Sequence, residues 1–244
     1  MDSQYTLSLF LTVVIPVFNE EGNLQFLTTE LITVLRTLNK TWEIIFIDDG
    51  STDGSFRVLK ELQEIFPHIK VIKFRKNFGQ TAAFDAGFKA TQGEVIITMD
   101  SDLQNDPYDI PKLLDKMGDY DAVCGWRHKR NDSLIRRISS RTANSVRNRL
   151  SGETIKDVGC SLKAFRSAYL KKLKLYNGMH RFFPTLIKMV GGKVIEVKVN
   201  HRPREYGSSK YNIRNRILRS FIDLLAVRWM KNRRLDYEIE EDNT

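Results

Sequence analysis

The sequence predicts an α/β fold, a mostly parallel sheet with helices on both faces. Short, continuously apolar runs recur through the first half, and amphipathic helical patterns separate them. Clusters of carboxylates and amides follow several of these runs directly, where a parallel sheet binds its ligands. The order begins with a strand over Leu11–Phe18 and a helix over Glu21–Leu38. Trp42–Asp48 (strand), Asp53–Phe66 (helix), Ile69–Phe74 (strand) and Gly79–Ala90 (helix) follow. Val95–Asp100 and Ala122–Trp126 complete the strands of the first half. Beyond them the pattern predicts a basic helix over Ser133–Leu150, strands over Ser161–Phe165 and Val194–His201, and a helix over Phe182–Met189. Arg214–Val227 repeats Ile217, Leu218, Phe221, Leu224 and Leu225 on one helical stripe.

At 244 residues the chain suits one substantial domain, over 1–212, with an amphipathic helix and charged tail over 213–244. Its two cysteines, Cys124 and Cys160, lack ligand-like spacing and read as buried thiols of a reducing compartment. The four histidines are scattered, against a zinc site of the usual spacing. The net charge of +9 is concentrated: Arg127 to Arg149 holds eight Lys or Arg against one acid, Asp132. Such a run suits phosphate groups or an anionic membrane face. It lacks the interleaved aromatics that stack on bases, so nucleic acid is not an expected partner. Tyr5 to Phe18 reads as a strand and not as a signal peptide, and no apolar run reaches the roughly 18–20 residues of a membrane span. The expectation is a cytoplasmic protein attached peripherally to a membrane surface.

Asp100 and Asp102, with Ser101 between them, follow the buried run Val95 to Met99. Two carboxylates so placed can set oxygens around one hard cation, Mg²⁺ or Mn²⁺, and Gln104 can add a neutral oxygen. Asp48 and Asp49 end another strand, where one can accept hydrogen bonds from a nucleobase or ribose, while Asp53 suits a helix cap. Neither GxGxxG nor a Walker A loop is present, so phosphate charge must meet metal and basic side chains. Arg127 follows a strand, and Arg141 and Ser145 share a helical face at i, i+4, from which both can grip one phosphate.

Val13 to Glu20 (VVIPVFNE), Ile47 to Asp53 (IDDGSTD), Asn77 to Gln80 (NFGQ) and Gly93 to Gln104 (GEVIITMDSDLQ) together resemble the family 2 glycosyltransferases of GT-A, Rossmann-like fold. The branch they resemble contains the dolichyl-phosphate mannosyltransferases and undecaprenyl-phosphate glycosyltransferases, and the likeness spans about residues 11–225. The resemblance implies a nucleotide-sugar donor whose nucleoside is held at Pro16, Phe18, Glu20 and Asp49. Phe18 stands where the family often has tyrosine. It assigns Asp100, Asp102 and Gln104 to the metal and diphosphate. Arg127, Arg141 and Ser145 fall to the lipid phosphate of a polyprenyl acceptor. Arg204 to Tyr211 (REYGSSKY) resembles a late loop whose Arg204 and Lys210 meet the donor diphosphate. Asp157 and Gly159-Cys160 match the branch too, without a firm role.

The implied reaction is inverting transfer of a hexose, with Asp100, Asp102 and Arg127 at its centre. The lipid phosphate is already anionic and attacks without a general base, oriented by arginines. Two alternatives stay open: a family 2 transferase for a soluble or polysaccharide hydroxyl, and a non-catalytic nucleotide-sugar-binding scaffold. A processive synthase is disfavoured because Leu225 to Trp229 (LAVRW) lacks the Gln of Gln-x-x-Arg-Trp. Homo-oligomerisation or a separate membrane-anchoring subunit is compatible with this reading.

Overall fold

The computed structural model describes residues 10–127, 155–203, 213–235 and 240. The expected helix over Ser133–Leu150, with Arg141 and Ser145, lies outside the described residues, as do Arg204 and Lys210. The same holds for the side chains of Arg214, Arg216, Ile217, Leu218 and Arg219.

The chain begins with strand β1 (Leu11–Val17), helix α1 (Leu24–Arg36), β2 (Trp42–Asp48), α2 (Ser55–Ile65) and β3 (Ile69–Lys73). α3 (Gln80–Ala90), β4 (Val95–Thr98), α4 (Ile110–Leu114) and β5 (Ala122–Arg127) follow. The second half supplies β6 (Lys163–Arg166), α5 (Ser167–Leu170), α6 (Phe183–Met189), β7 (Val194–Val199) and α7 (Ile213–Asn232). The strands form one seven-stranded sheet in the order β3-β2-β1-β4-β6-β5-β7. Among the described strands only β6 runs antiparallel to its neighbours, β4 and β5. Both the mostly parallel sheet and the helices on two faces are as the sequence predicts.

Near-continuous apolar strands form because both faces of the sheet are covered. Val13, Ile15 and Val17 of β1 pack on one side with Leu27, Leu31 and Leu35 of α1, Leu59 of α2 and Leu113 of α4. Val14, between them, faces the other way, toward Phe84 and Phe88 of α3 and Phe183 and Ile187 of α6. On that second face Phe183 stands edge-on to Phe84 and Phe165, with centroids 5.7 and 5.8 Å apart, a favoured aromatic geometry.

Boundaries differ where side chains compete with the ladder. The strand expected from Ser161 begins at Lys163, because Ser161 donates its hydroxyl to Asn105 Oδ1 at 2.6 Å and leaves the sheet. The helix expected from Asp53 begins at Ser55, whose N–H bonds Asp53 Oδ1 at 2.9 Å. Helix α4 and the 3-10 turn before it, Pro107–Asp109, were not foreseen, since neither is long enough to show a period.

α7 extends five residues beyond its expected end, to Asn232, and its stripe divides. Leu224 and Val227 are buried against the α3 and α6 face, whereas Phe221, Ile222, Leu225 and Trp229 are exposed. No helix among the described residues is long and apolar enough to cross a membrane. Cys124 and Cys160 are free and buried, as expected. Burial pushes their thiols up to about 12 and about 11, against the opposing charge of Lys163.

α3 crosses β1 and β2 closely at Gly87. A Cβ there would overlap Cγ1 of the fully buried Val14 and lie 3.0 Å from Ile47 Cδ1. Alanine favours a helix interior over glycine by up to about 1 kcal/mol, but overpacking a core costs about 1–3 kcal/mol. Packing therefore decides the sign: Gly87→Ala lowers the urea midpoint, and the added change Val14→Ala recovers part of the loss.

Candidate active site

The carboxyl ends of β1, β2 and β4 meet at one edge of the sheet, and hydrogen bonds between their loops fix the site's shape. Asn19 takes a left-handed backbone (φ 55°), tolerated by asparagine, just beyond β1. Its N–H bonds Ser51 Oγ at 2.9 Å, and its Oδ1 accepts from Thr52 N at 2.7 Å. Glu20 N donates to Ser55 Oγ at 2.8 Å, and its carboxylate accepts from Asn23 Nδ2. The two loops expected at the nucleoside are thus stitched together, with Phe18 half-buried beside them.

Pro16 sits inside a central strand without breaking the ladder. Its carbonyl faces β4 and accepts from Ser101 Oγ at 3.0 Å, but β4 pairs with β1 only as far as Val14–Thr98. The missing N–H therefore points past the end of the neighbouring strand.

Asp48 and Asp49 diverge in role. Asp48 Oδ1 accepts from Ser51 N at 3.1 Å, while its buried Oδ2 has no hydrogen-bond partner among the described residues. Asp49 holds the chain leading into α3, with Oδ1 2.7 Å from Phe78 N and Oδ2 3.0 Å from Gly79 N. Burial raises its pKa, and these two N–H groups oppose the shift. The next residue, Gln80, donates from Nε2 to Asp100 Oδ1 at 2.7 Å. Asp49 thus positions the amide that orients Asp100.

Beyond β4 the chain turns sharply. Asp100 N bonds Asn105 Oδ1 at 3.2 Å, Leu103 takes φ 62°, and Gln104 N bonds Asp102 Oδ1 at 3.2 Å. Asp102 is largely buried. Burial, and then the charge of Asp102, raise the pKa of Asp100, opposed by a hydrogen bond from Ser161 and the charges of Lys163 and Arg127. No cluster of three or more His, Cys, Asp or Glu side chains suited to a metal occurs among the described residues. The set is two carboxylates with a neighbouring amide residue, Gln104. Two mutually repelling, partly desolvated carboxylates fit a hard divalent ion that leaves positions open for phosphate oxygens.

Arg127 is the last residue of β5 and half-buried. Asp157 grips it by both oxygens: Nε lies 2.7 Å from Oδ2 and Nη2 lies 2.9 Å from Oδ1. The backbone N–H of Arg127 also bonds Oδ2, at 3.2 Å. Burial pulls the guanidinium pKa down, but Asp157's hydrogen bonds and charge outweigh it, and the net shift is upward. Asp157 is fixed in turn, since its N–H bonds Glu196 Oε1 at 3.0 Å.

At the root of the late loop, Arg202 bridges Glu30 and Asp106, each at 2.7 Å, and its N–H bonds Gln104 O at 3.0 Å. The structure thus unites Pro16, Phe18, Glu20, Asp48, Asp49, Asp100, Ser101, Asp102, Gln104 and Arg127 at one edge. Reading the sequence missed the supporting roles of Gln80, Asn105, Ser161 and Lys163. Gln80 lay in a quoted motif, but its partner is fixed only by the fold. The buried Lys163 had a weak signal, a charge inside the otherwise apolar run Leu162 to Phe165.

Comparison with known proteins agrees with this architecture. Glycosyl transferase family 2 matches residues 12–174. A dodecaprenyl-phosphate galacturonate synthase of Rhizobium johnstonii is 39% identical over 226 residues, covering 90% of this chain and 67% of the relative. An undecaprenyl-phosphate 4-deoxy-4-formamido-L-arabinose transferase of Pectobacterium carotovorum is 38% identical over 217 residues, covering 88% and 66%. The chain thus spans about two thirds of the length of both relatives. Two solved structures share the fold. Glucosyl-3-phosphoglycerate synthase from Mycobacterium tuberculosis, with Mn²⁺, UDP and glucosyl-3-phosphoglycerate, aligns with a TM-score of 0.65 and 17% identity over 93% of this chain and 81% of the other. A mannosyltransferase from Pyrobaculum calidifontis, with GDP-Man and Mn²⁺, aligns at 0.63 and 18% identity over 95% and 66%. With the family match running from β1 through α5, and so through every strand end that builds the site except that of β7, the chain belongs to glycosyl transferase family 2.

Proposed function

We propose that the chain transfers a sugar from a nucleotide-sugar to a polyprenyl phosphate, with inversion and with the help of Mg²⁺ or Mn²⁺. One observation carries this reading: Asp157 locks a guanidinium at the carboxyl end of β5, on the same sheet edge where Asp100 and Asp102 follow β4. That arrangement suits one anionic group at the β4 end and a second at the β5 end. The names of the two relatives support a polyprenyl phosphate as the second. They include an arabinose derivative beside a uronate, so the sugar is drawn from a wider set than the hexoses the sequence suggests.

Asp100 and Asp102, with Gln104, would hold the cation. When bound, such an ion neutralises the charge that accumulates on the departing diphosphate. Arg127, fixed by Asp157, orients the acceptor phosphate, and Arg141 and Ser145 complete that grip. A phosphate oxygen forms a bond to the anomeric carbon as the bond from that carbon to the diphosphate breaks. The attacking oxygen is anionic near neutral pH, so no proton needs to be removed. A hydroxyl acceptor would need a carboxylate base, and Asp157 is committed through both oxygens to Arg127. Arg204 and Lys210 are assigned to the donor diphosphate.

The exposed side of α7 supplies the membrane contact. Phe221, Ile222, Leu225 and Trp229 stand out from the chain, with Arg228 and Lys231 on the same helix and Arg233 and Arg234 after it. Apolar and basic residues so mixed suit an interface with anionic lipid.

Three outcomes test this reading. Asp102→Asn lowers sugar transfer to undecaprenyl phosphate by roughly 100-fold or more, as does thorough chelation of the wild type, while the thermal unfolding curve keeps its shape. Asp157→Asn raises the acceptor KM by about 10-fold or more through loss of a charge-assisted contact. It leaves the acid limb of the pH profile in place, and disappearance of that limb would make Asp157 a base. In flotation with phosphatidylglycerol vesicles the chain binds at low salt and detaches as salt rises, since about 1 kcal/mol per basic residue is screened. Phe221→Glu abolishes flotation without unfolding the chain, because Phe221 is already 45% exposed.

A further inference from the structure

Lys163 is a charged side chain in the middle of the sheet, only 3% exposed. It pairs with Thr98 of β4 on one side and Cys124 of β5 on the other. Among the described residues no carboxylate lies within 4.0 Å of its ammonium. It donates instead to two backbone carbonyls, those of Cys160 and, at 3.5 Å, Val158. Burying an ammonium against neutral carbonyls is costly, and an apolar residue would pack here at lower cost. The carbonyls belong to the segment 157–162, whose ends serve different halves of the site.

At one end of that segment, Asp157 grips Arg127. At the other, Ser161 Oγ donates to Asn105 Oδ1 at 2.6 Å, and the same Oδ1 receives Asp100 N at 3.2 Å. Thr98 Oγ1 adds a second tie, donating to Ser161 O at 2.7 Å. The segment is therefore the direct covalent and hydrogen-bonded bridge from the metal-binding turn to the acceptor arginine. Lys163 and Thr98, cross-strand partners on β6 and β4, between them bond the carbonyls of Val158, Cys160 and Ser161.

We infer that Lys163 is a positioning residue, which fixes the 157–162 bridge and so sets the spacing between the donor diphosphate and the acceptor phosphate. The inference rests on the proposed transfer between those two groups. Lys163 touches neither substrate on this account. Its removal should leave each half-site able to bind and misalign the two bound substrates. Orienting reactants is worth several powers of ten in rate, so a small displacement falls on turnover and not on affinity.

The test compares wild type, Lys163→Met and Thr98→Val by turnover of UDP-sugars with undecaprenyl phosphate, by calorimetric binding of UDP with Mn²⁺, and by amide hydrogen exchange. Methionine keeps the unbranched stem of lysine, and valine keeps the shape of threonine, so the core stays filled. Lys163→Met lowers kcat by roughly 100-fold, a loss of the size that a displacement of order 1 Å produces. The KM of either substrate changes by no more than about threefold, the pattern of an interaction made only in the transition state. Thr98→Val reproduces the effect in weaker form. Exchange accelerates over 155–162 and not over β1 or β2 in both variants. Wild-type kcat per folded molecule in Lys163→Met, a rise confined to the acceptor KM, or unchanged exchange over 155–162 would each overturn the assignment. Absence of wild-type turnover with every UDP- and GDP-sugar would instead overturn the proposed reaction, and hydrogen exchange would still decide whether Lys163 anchors the bridge.

Discussion

One reversal of chain direction organises the site. β6 runs against β4 and β5, so its beginning lies beside their carboxyl ends. Were all seven strands parallel, the segment entering β6 would emerge at the opposite edge, and nothing from it could reach Asp100 or Arg127. With the reversal, Asp157, Ser161 and the carbonyls capped by Lys163 arrive at the edge that carries Asp100 and Arg127. The order β1-β4-β6-β5 then leaves only β6 between β4, which Asp100 follows, and β5, which ends at Arg127. The sheet's connectivity dictates that a carboxylate fixes the arginine and an amide fixes the carboxylate.

This also explains which parts of the molecule were legible in advance. β1, β2 and β4 are buried on both faces, so their composition is apolar throughout and the carboxylates that follow stand out. β2 was delimited to the residue, from Trp42 to Asp48. The acidic residues at these ends could be proposed from chain order alone, because in a parallel sheet chain order predicts which end carries the ligands. Partnerships spanning long separations could not. The bond from Gln80 to Asp100 and the clamp of Asp157 on Arg127 join residues 20 and 30 positions apart. Neither pairing leaves a periodic trace. The direction of β6 was equally hidden, since four residues, Lys163–Arg166, carry no mark of parallel or antiparallel pairing.

The α7 helix shows a different limit. The sequence places its apolar residues on one stripe. In the fold the stripe divides between a buried and an exposed side. Leu224 and Val227 take the core side, while Phe221 and Leu225 are left on the outer side. Periodicity locates an apolar arc, but the width of the groove that receives it belongs to other elements. A hydrophobic pattern therefore overstates burial whenever the helix docks at the margin of a domain.

The two cysteines have a practical consequence. Both are fully buried, and each thiol is held far above neutrality by its apolar surroundings, so neither offers thiolate to reagents in solution. They are the chain's entire complement of sulfhydryl groups. The folded protein is therefore chemically silent toward maleimides and spin labels. One cysteine introduced on the outer face of α7 would be its sole address for a probe, and the depth and polarity sensed there could be read without subtracting any background.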